Sequence, residues 1–267
     1  MVRKMRILIT GVNGYIGSSL YKALSIDWAY DVVGINRSTV DLTDIKDVCN
    51  FFKCEEYFDI VIHCAVSGGH RLKKDGWNIM DENLCMYYNL MQHKDKFNRF
   101  IHLGSGAEID YGQEETPYAL SKKIIAKSID INRHFYNIRI FGLFDENELE
   151  TRFIKSNINR YINKQPIQII QNKQMTFFYM KDFIKVIEHY LDYSNHDLPK
   201  NFECTYEYSY TLCNIASQIN ELSDYKVEIE IQKPWTDTPY IGAYTKDLGI
   251  KFEGLEQGIL NVYKKLK

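Results

Sequence analysis

The stretch Ile7-Leu8-Ile9-Thr10-Gly11-Val12-Asn13-Gly14-Tyr15-Ile16-Gly17 decides the fold of this chain. An apolar run leads into regularly spaced glycines, and a periodic segment follows them. A glycine-rich loop between a strand and a helix is the usual context of dinucleotide binding. We expect Gly11 to permit a tight turn, Gly14 to let a pyrophosphate approach the backbone, and Gly17 to let the helix pack closely on the strand.

The start of the following helix is a predicted anion site. Free N–H groups at a helix start, together with the helix dipole, favour a phosphate there. The alternative is a glycine-rich turn that binds no ligand. The cofactor contacts expected from this loop are Gly11, Asn13, Gly14, Tyr15, Ile16 and Gly17.

Length, charge and cysteine content limit the class of protein. With 267 residues, the chain suits one large domain or a main domain with a small appendage. The 33 Lys and Arg residues nearly balance the 35 Asp and Glu residues, so charge gives no reason to expect a nucleic-acid or membrane partner. No apolar run approaches the roughly 20 residues that span a bilayer. The six cysteines lack zinc-type spacing, which indicates reduced, mostly buried thiols in a cytoplasmic protein and no metal site.

Strand and helix patterns alternate through the first half of the chain. The predicted strands after the first are 31–35, 59–63, 99–103 and 136–140, and the predicted helices include 83–93 and 118–133. This alternation predicts an α/β fold with a doubly wound, parallel Rossmann-type sheet. In such sheets, ligands bind at the carboxyl ends of the strands.

After Gly142 the alternation loosens into shorter, less regular segments. We therefore expect two parts. Residues 1–145 are predicted to form the NAD(P)-binding Rossmann core. Residues 146–267 are predicted to form mainly a smaller C-terminal substrate-binding lobe, with some segments that return to the core.

The end of the second strand bears on the choice of cofactor. An acidic residue often ends this strand in NAD-specific sites, whereas a nearby Arg suits a 2′-phosphate. Here the strand ends in Asn36-Arg37, so we expect NADP(H), with NAD(H) as second choice; the alternative is a solvated Arg37. The third strand runs into small residues that let a cofactor lie against the backbone; the alternative is tight packing without a ligand. Its His63 is interpreted as a core histidine. The further cofactor contacts expected are Arg37, Asp41, Leu42, Cys64, Ala65 and Val66.

Tyr118 and Lys122 are the candidate catalytic pair, because residues four apart lie on one face of a helix. A phenol is a poor acid–base group at neutral pH unless a nearby positive charge favours its phenolate form. Ser105, at the end of the preceding strand, can hydrogen-bond the substrate oxygen whose proton Tyr118 exchanges. A Tyr and a Lys at this spacing are common by chance, but the glycine loop and Ser105 upstream favour catalysis. We also expect Tyr118 and Lys122 to contact the cofactor.

The chain resembles the extended short-chain dehydrogenase/reductase family over nearly its whole length. The motifs that carry the resemblance are Gly11-x-x-Gly14-x-x-Gly17, His63-Cys64-Ala65, Ser105, Tyr118-x-x-x-Lys122 and Arg139-Ile140-Phe141-Gly142. The segments most similar to the GDP-fucose synthase and 4-ketoreductase branch are Arg37, Asp41-Leu42-Thr43-Asp44 and Ser67-Gly68-Gly69. The resemblance implies a nucleotide-diphosphate sugar as substrate, and a homodimer formed through helices 83–93 and 118–133.

Residues that differ from those of related enzymes limit the reaction that we expect of this chain. GDP-fucose synthase also resembles an epimerase, and it uses a cysteine just after the serine and a histidine in the following lobe. Here Ala107 stands near the place of that cysteine, and no histidine lies between Gly142 and His189. The Asp-Glu pair of sugar dehydratases is replaced by Gly106-Ala107. We therefore expect NADP-dependent reduction of a 4-keto (6-deoxy) nucleotide sugar by Ser105, Tyr118 and Lys122. The alternatives are a 4-epimerase that retains NAD, or a catalytically silent dinucleotide-binding protein.

Overall fold

The computed structural model describes residues 3–69, 74–109, 115–195, 197–233, 235–236, 238–244 and 247–267. In chain order the strands are β1 (Met5–Thr10), β2 (Tyr30–Ile35), β3 (Phe58–His63), β4 (Phe97–Ser105), β5 (Phe135–Ile140), β6 (Leu143–Phe144), β7 (Ile167–Gln171), β8 (Phe178–Tyr179), β9 (Asn201–Glu203) and β10 (Ile229–Lys233). The helices are α1 (Tyr15–Leu24), α2 (Ile45–Cys54), α3 (Asn78–Met91), α4 (Pro117–Asp130), α5 (Phe153–Ile162), α6 (Met180–Leu191), α7 (Leu212–Asn220) and α8 (Leu255–Leu266). Contacts divide the chain into two compact units, residues 1–139 with 196–202 and residues 140–195 with 203–267.

The first unit is built on a six-stranded sheet in the order β2-β1-β3-β4-β5-β9. β1 pairs in parallel with both β2 and β3, and β3 pairs in parallel with β4. Ile7, Leu8 and Ile9 of β1 are fully buried, which is typical of a parallel sheet covered on both faces. The predicted α/β, doubly wound parallel sheet is confirmed. Because strand order reverses at β1, the glycine loop after β1 lies at the topological switch point.

The helices of the first unit begin at recognisable caps. The Asp44 side chain accepts from Lys46 N at the start of α2, and the Thr116 side chain accepts from Ala119 N at the start of α4. α3 begins at Asn78, earlier than the predicted start at residue 83, and a hydrogen bond from Asn78 to Glu82 supports its extra turn. Among the described residues, no helix is both long enough and apolar enough to cross a membrane.

The second unit has its own hydrophobic core. β6 pairs in parallel with β8, and β7 pairs in parallel with β10. Phe144 and side chains of α5, α7 and α8 form one buried cluster. The cluster includes the fully buried residues Ile154, Ile158, Tyr161, Ile215 and Val262.

The cysteines correct one expectation. All six lie in the described part of the chain and are free thiols, but only Cys204 among them is buried. Cys54 is exposed, and the other four are partly exposed. The expectation of mostly buried thiols was therefore wrong, because Cys49 and Cys54 lie on α2 outside the pair Val48 and Phe52 that the helix buries.

Candidate active site

A cavity of about 470 Å³ lies at the carboxyl ends of β1, β2 and β3. It brings together most of the residues predicted to contact a cofactor. The predicted residues in its lining are Gly11, Asn13, Gly14, Arg37, Asp41, Leu42, Cys64, Ala65 and Val66. Tyr15, Ile16 and Gly17 form the first turn of α1 instead of lining the cavity.

The glycine loop forms a cradle that side chains would fill. Gly11 has a φ of +70°, and a Cβ there would lie 2.8 Å from the Cα of Ala65. A Cβ on Gly17 would overlap the Gly11 carbonyl oxygen, so the start of α1 packs directly on the loop. The N-cap residue of α1 is Gly14, which has no side chain to cap the helix. The first N–H groups of α1 are therefore suited to an anionic group, and the pyrophosphate of a dinucleotide fits this cradle.

Arg37 lies at the rim of the cavity, with 72% of its side chain exposed. Its Nε donates to the Asp41 carboxylate over 3.4 Å. Hydrogen bonds from Thr43, and then the charge of Arg37, lower the pKa of Asp41. Because an exposed ion pair is worth about 0–1 kcal/mol, the guanidinium can leave Asp41 for a phosphate at little cost.

The cavity also contains residues that the sequence patterns did not assign to a cofactor. Asn36 and Ser38 flank Arg37, and the Asn36 side chain accepts from both the backbone N (2.9 Å) and the hydroxyl (2.6 Å) of Ser38. Because both residues adjoin Arg37 in the sequence, they could have been predicted as cofactor contacts. Met86 comes from α3, and no local pattern pointed to it.

Tyr118 and Lys122 lie one turn apart at the beginning of α4. Lys122 is buried, and its Nζ donates to the carbonyl oxygen of Leu103 on β4 over 2.7 Å. The same Nζ lies 5.9 Å from the centre of the Tyr118 ring. The structure thus brings the lysine of the predicted pair against the strand that ends in Ser105.

Burial controls the charge of this site. It lowers the pKa of Lys122 to about 8, and the negative charge of Glu108 opposes that shift. Burial, followed by the positive charge of Lys122, lowers the pKa of His63 to about 3. The His63 ring is also 2.9 Å from the Thr10 hydroxyl, which agrees with its interpretation as a core histidine.

Ser105 is buried at the end of β4. Its Oγ accepts a hydrogen bond from the backbone N of Ala107 over 3.1 Å. Since a hydroxyl has one hydrogen and two acceptor positions, this bond leaves the hydroxyl hydrogen for donation to a ligand.

A polar link around Asn83 supports Tyr118 and was not predicted from the sequence. Asn83 is buried, and its Nδ2 donates to the Ser121 hydroxyl and to the Ser67 carbonyl, each over 3.0 Å. The Ser121 hydroxyl in turn donates to the Tyr118 carbonyl over 2.7 Å. A Cβ on Gly69 would come within 3.0 Å of the Tyr118 ring, so the loop after β3 lies against the phenol. The contacts of Asn83 and of Gly69 join residues distant in sequence, and no local pattern could reveal them.

Comparisons with known proteins identify the family and the fold of this chain. A CDP-abequose synthase from Yersinia pseudotuberculosis is 25% identical over 243 residues, which cover 82% of this chain and 85% of that protein. The GDP-mannoheptose C4 reductase from Campylobacter jejuni with NADP bound superposes with a TM-score of 0.80 at 15% identity, covering 100% of this chain and 99% of the other. A UDP-glucose 4-epimerase from Thermotoga maritima gives 0.80 at 16% identity and 98% coverage of both chains. Residues 7–204, well over half of the sequence, match one family throughout. The chain therefore belongs to the NAD dependent epimerase/dehydratase family, which confirms the resemblance carried by its motifs.

Proposed function

We propose that this chain is an NADP-dependent reductase of a 4-keto nucleotide sugar, with Ser105, Tyr118 and Lys122 as its catalytic residues. The observation that carries the proposal is the position of the buried Lys122 ammonium. It lies beside the Tyr118 ring and donates a hydrogen bond to the Leu103 carbonyl oxygen on β4, the strand that ends in Ser105. The similar CDP-abequose synthase and GDP-mannoheptose C4 reductase support a nucleotide-sugar substrate. The NADP bound to that C4 reductase supports the choice of cofactor.

In the proposed triad Ser105 and Tyr118 each have one task, and Lys122 has two. When bound, the reduced nicotinamide supplies the hydride that the keto carbon accepts. The Ser105 hydroxyl donates a hydrogen bond to the keto oxygen, and the Tyr118 phenol gives that oxygen its proton. The Lys122 ammonium holds the nicotinamide ribose and stabilises the phenolate left on Tyr118, which water then reprotonates.

The two parts of the chain take different ligands in this proposal. Residues 1–145 bind the cofactor, because the dinucleotide cavity and its glycine loop lie there. Residues 146–267 form mainly the lobe that binds the nucleotide sugar. This assignment is supported by the separate hydrophobic core of the second unit, which lets it present its own binding surface.

Replacing Arg37 by alanine tests the choice of NADP. We expect NADPH to bind about 1.5–3 kcal/mol more weakly, because the 2′-phosphate loses its charged hydrogen-bond donor. NADH binding should stay nearly unchanged, since its 2′-hydroxyl carries no charge for Arg37 to neutralise. Both affinities can be measured by fluorescence titration.

Arg133→Ala is the matched control, because this arginine is exposed and lies outside the cavity. It should leave both affinities at the wild-type value. Equal weakening of NADPH and NADH in Arg37→Ala would give Arg37 another role and remove the argument for NADP.

Reductase and epimerase chemistry differ in stoichiometry and in proton exchange. With a CDP- or GDP-linked 4-keto-6-deoxyhexose and NADPH, we expect equal amounts of NADP and a single alcohol product. In deuterated water, C3 and C5 should gain no more deuterium than in a buffer control. This follows because Tyr118 protonates one oxygen and the triad holds no base for the neighbouring carbons. Mass spectrometry of the product measures both results.

Two outcomes would contradict plain reduction. Interconversion of a CDP- or GDP-linked 4-hydroxy sugar and its C4 epimer without net oxidation of NADPH, together with NAD that co-purifies with the protein, would indicate a 4-epimerase. Enzyme-dependent deuterium at C3 or C5 would show an acid–base pair that moves protons beside the ketone.

A further inference from the structure

Glu108 closes the turn that follows β4. The turn is a short 3₁₀ helix over Gly106–Glu108, and only 3% of the Glu108 side chain is exposed. Glu108 Oε1 accepts a hydrogen bond from the backbone N of Ser105 over 2.7 Å. The Ser105 Oγ accepts from Ala107 N at the same turn, so the two ends of the turn cap each other.

The other oxygen of Glu108 reaches across to β5. Oε2 accepts from Arg139 Nε over 2.7 Å and from Asn137 Nδ2 over 2.9 Å. A Cβ on Gly104 would overlap both Glu108 Oε1 and the Asn137 side chain, so the glycine before Ser105 makes room for this carboxylate. Glu108 therefore ties the end of β4 to β5 through hydrogen bonds from three donor groups.

The hydrogen bonds of Glu108 favour a structural role for its carboxylate. Each of the three contacts is donated to the carboxylate, which acts as an acceptor in all of them. The carboxylate holds the backbone of Ser105, the residue whose hydroxyl hydrogen remains for a ligand. A shift of the turn would move that hydroxyl away from the keto oxygen, and small misplacements of such donors are costly to catalysis.

We propose that Glu108, held by Arg139, is a positioning residue that sets the Ser105 hydroxyl for donation to the substrate carbonyl. The proposal rests on the proposed function of Ser105 as a hydrogen-bond donor. It assigns to this chain a positioning role for a buried carboxylate whose hydrogen bonds from Ser105, Asn137 and Arg139 all come from the protein. Gly104 is part of the same arrangement, because its lack of a side chain provides the space that the Glu108 carboxylate fills.

A double-mutant cycle with Ser105→Ala and Glu108→Gln tests the proposal. A glutamine has one acceptor oxygen and one NH2 donor, so Glu108→Gln must turn a donor either toward the Ser105 N–H or toward Arg139 and Asn137, and each orientation breaks part of the tie between the turn and β5. We expect Ser105→Ala to lower kcat roughly 100-fold and Glu108→Gln roughly tenfold, both with NADPH affinity unchanged. In the Ser105→Ala background, Glu108→Gln should change kcat by less than about twofold, because its effect passes through the absent hydroxyl.

Two further variants separate positioning from loss of fold. Arg139→Lys keeps the charge but loses the Nε donor, so it should lower kcat in the same direction and also lose its effect in the Ser105→Ala background. It replaces Glu108→Gln in the cycle if that variant does not fold. Asp182→Asn, a change to a buried carboxylate of the second unit, should lower thermal stability and leave kcat of the folded enzyme unchanged.

The outcomes distinguish this proposal from the function on which it rests. A tenfold effect of Glu108→Gln that persists in the Ser105→Ala background would overturn the positioning role and leave the Ser/Tyr/Lys mechanism intact. Wild-type kcat in both Glu108→Gln and Arg139→Lys would overturn it as well. If Ser105→Ala itself keeps wild-type turnover, the proposed mechanism fails first, and the positioning role falls with it.

Discussion

Replacing Tyr118 by phenylalanine should lower kcat roughly 100-fold or more, the usual loss when a general acid is removed. The change deletes only the phenolic oxygen, so the ring keeps its place against Gly69 and above Lys122. NADPH affinity should therefore remain within about twofold of wild type. The glycine loop and Arg37, which are proposed to bind the pyrophosphate and the 2′-phosphate, are both unchanged. Turnover is measured by the loss of NADPH absorbance with a CDP- or GDP-linked 4-keto-6-deoxyhexose.

Tyr88→Phe is the matched control for Tyr118→Phe. Tyr88 lies on α3 with 45% of its surface exposed, and removal of its hydroxyl should leave kcat unchanged. Tyr118→Phe turnover within about threefold of wild type would contradict the assignment of Tyr118 as the acid, since general acids contribute far more than that.

Replacing Asp182 by alanine should lower the free energy of unfolding of the second unit by about 3–5 kcal/mol. Asp182 is fully buried on α6 and accepts from the Tyr206 hydroxyl over 2.7 Å and from Lys185 Nζ over 3.2 Å. It also accepts from the backbone N of Glu253 (2.8 Å) and of Gly254 (2.9 Å), immediately before α8. Alanine would remove the acceptor of the partly buried Tyr206 hydroxyl and of the Glu253 and Gly254 N–H groups, and would release the start of α8. Chemical denaturation followed by circular dichroism measures the loss.

Asp224→Ala provides the comparison, because Asp224 is an exposed carboxylate of the same unit. Its effect should stay within about 0.5 kcal/mol, as for most surface substitutions. A loss below about 1 kcal/mol in Asp182→Ala would show that water or rearranged side chains replace the carboxylate, and would remove its role as the anchor of α8.

Short-range patterns were sufficient for the architecture of this protein. The apolar run before Gly11, the spacing of the glycines and the alternation of strands with helices predicted the doubly wound sheet, and the structure confirms it. The same is true of the family, whose motifs each lie within a few consecutive residues. Such patterns can be recognised in the sequence because the side-chain periods of strands and helices, about 2 and 3.6 residues, involve only residues close together in the chain.

Only some residues of the candidate site could be predicted from the sequence. Tyr118 and Lys122 could be paired because helical spacing places them on one face of a helix. Arg37 could be predicted as a cofactor contact because it follows the end of a strand. The structure adds Leu103 as the partner of Lys122, and Met86 in the cavity. The catalytic and cofactor roles remain predictions for the variants described above.

Contacts between distant segments depended on tertiary packing. Glu108 meets Arg139 on the neighbouring strand, Asn83 meets Ser121 on the neighbouring helix, and Asp182 meets the start of α8. In the sequence each of these residues is an isolated polar side chain, with nothing to show whether it is solvated or buried. Burial makes the choice of partner obligatory, because an unpaired polar group in the interior costs about 1–3 kcal/mol. Periodicity along the chain thus specified the sheet and the position of α4, whereas the need to satisfy buried polar groups specified which distant side chains hold the described structure in place.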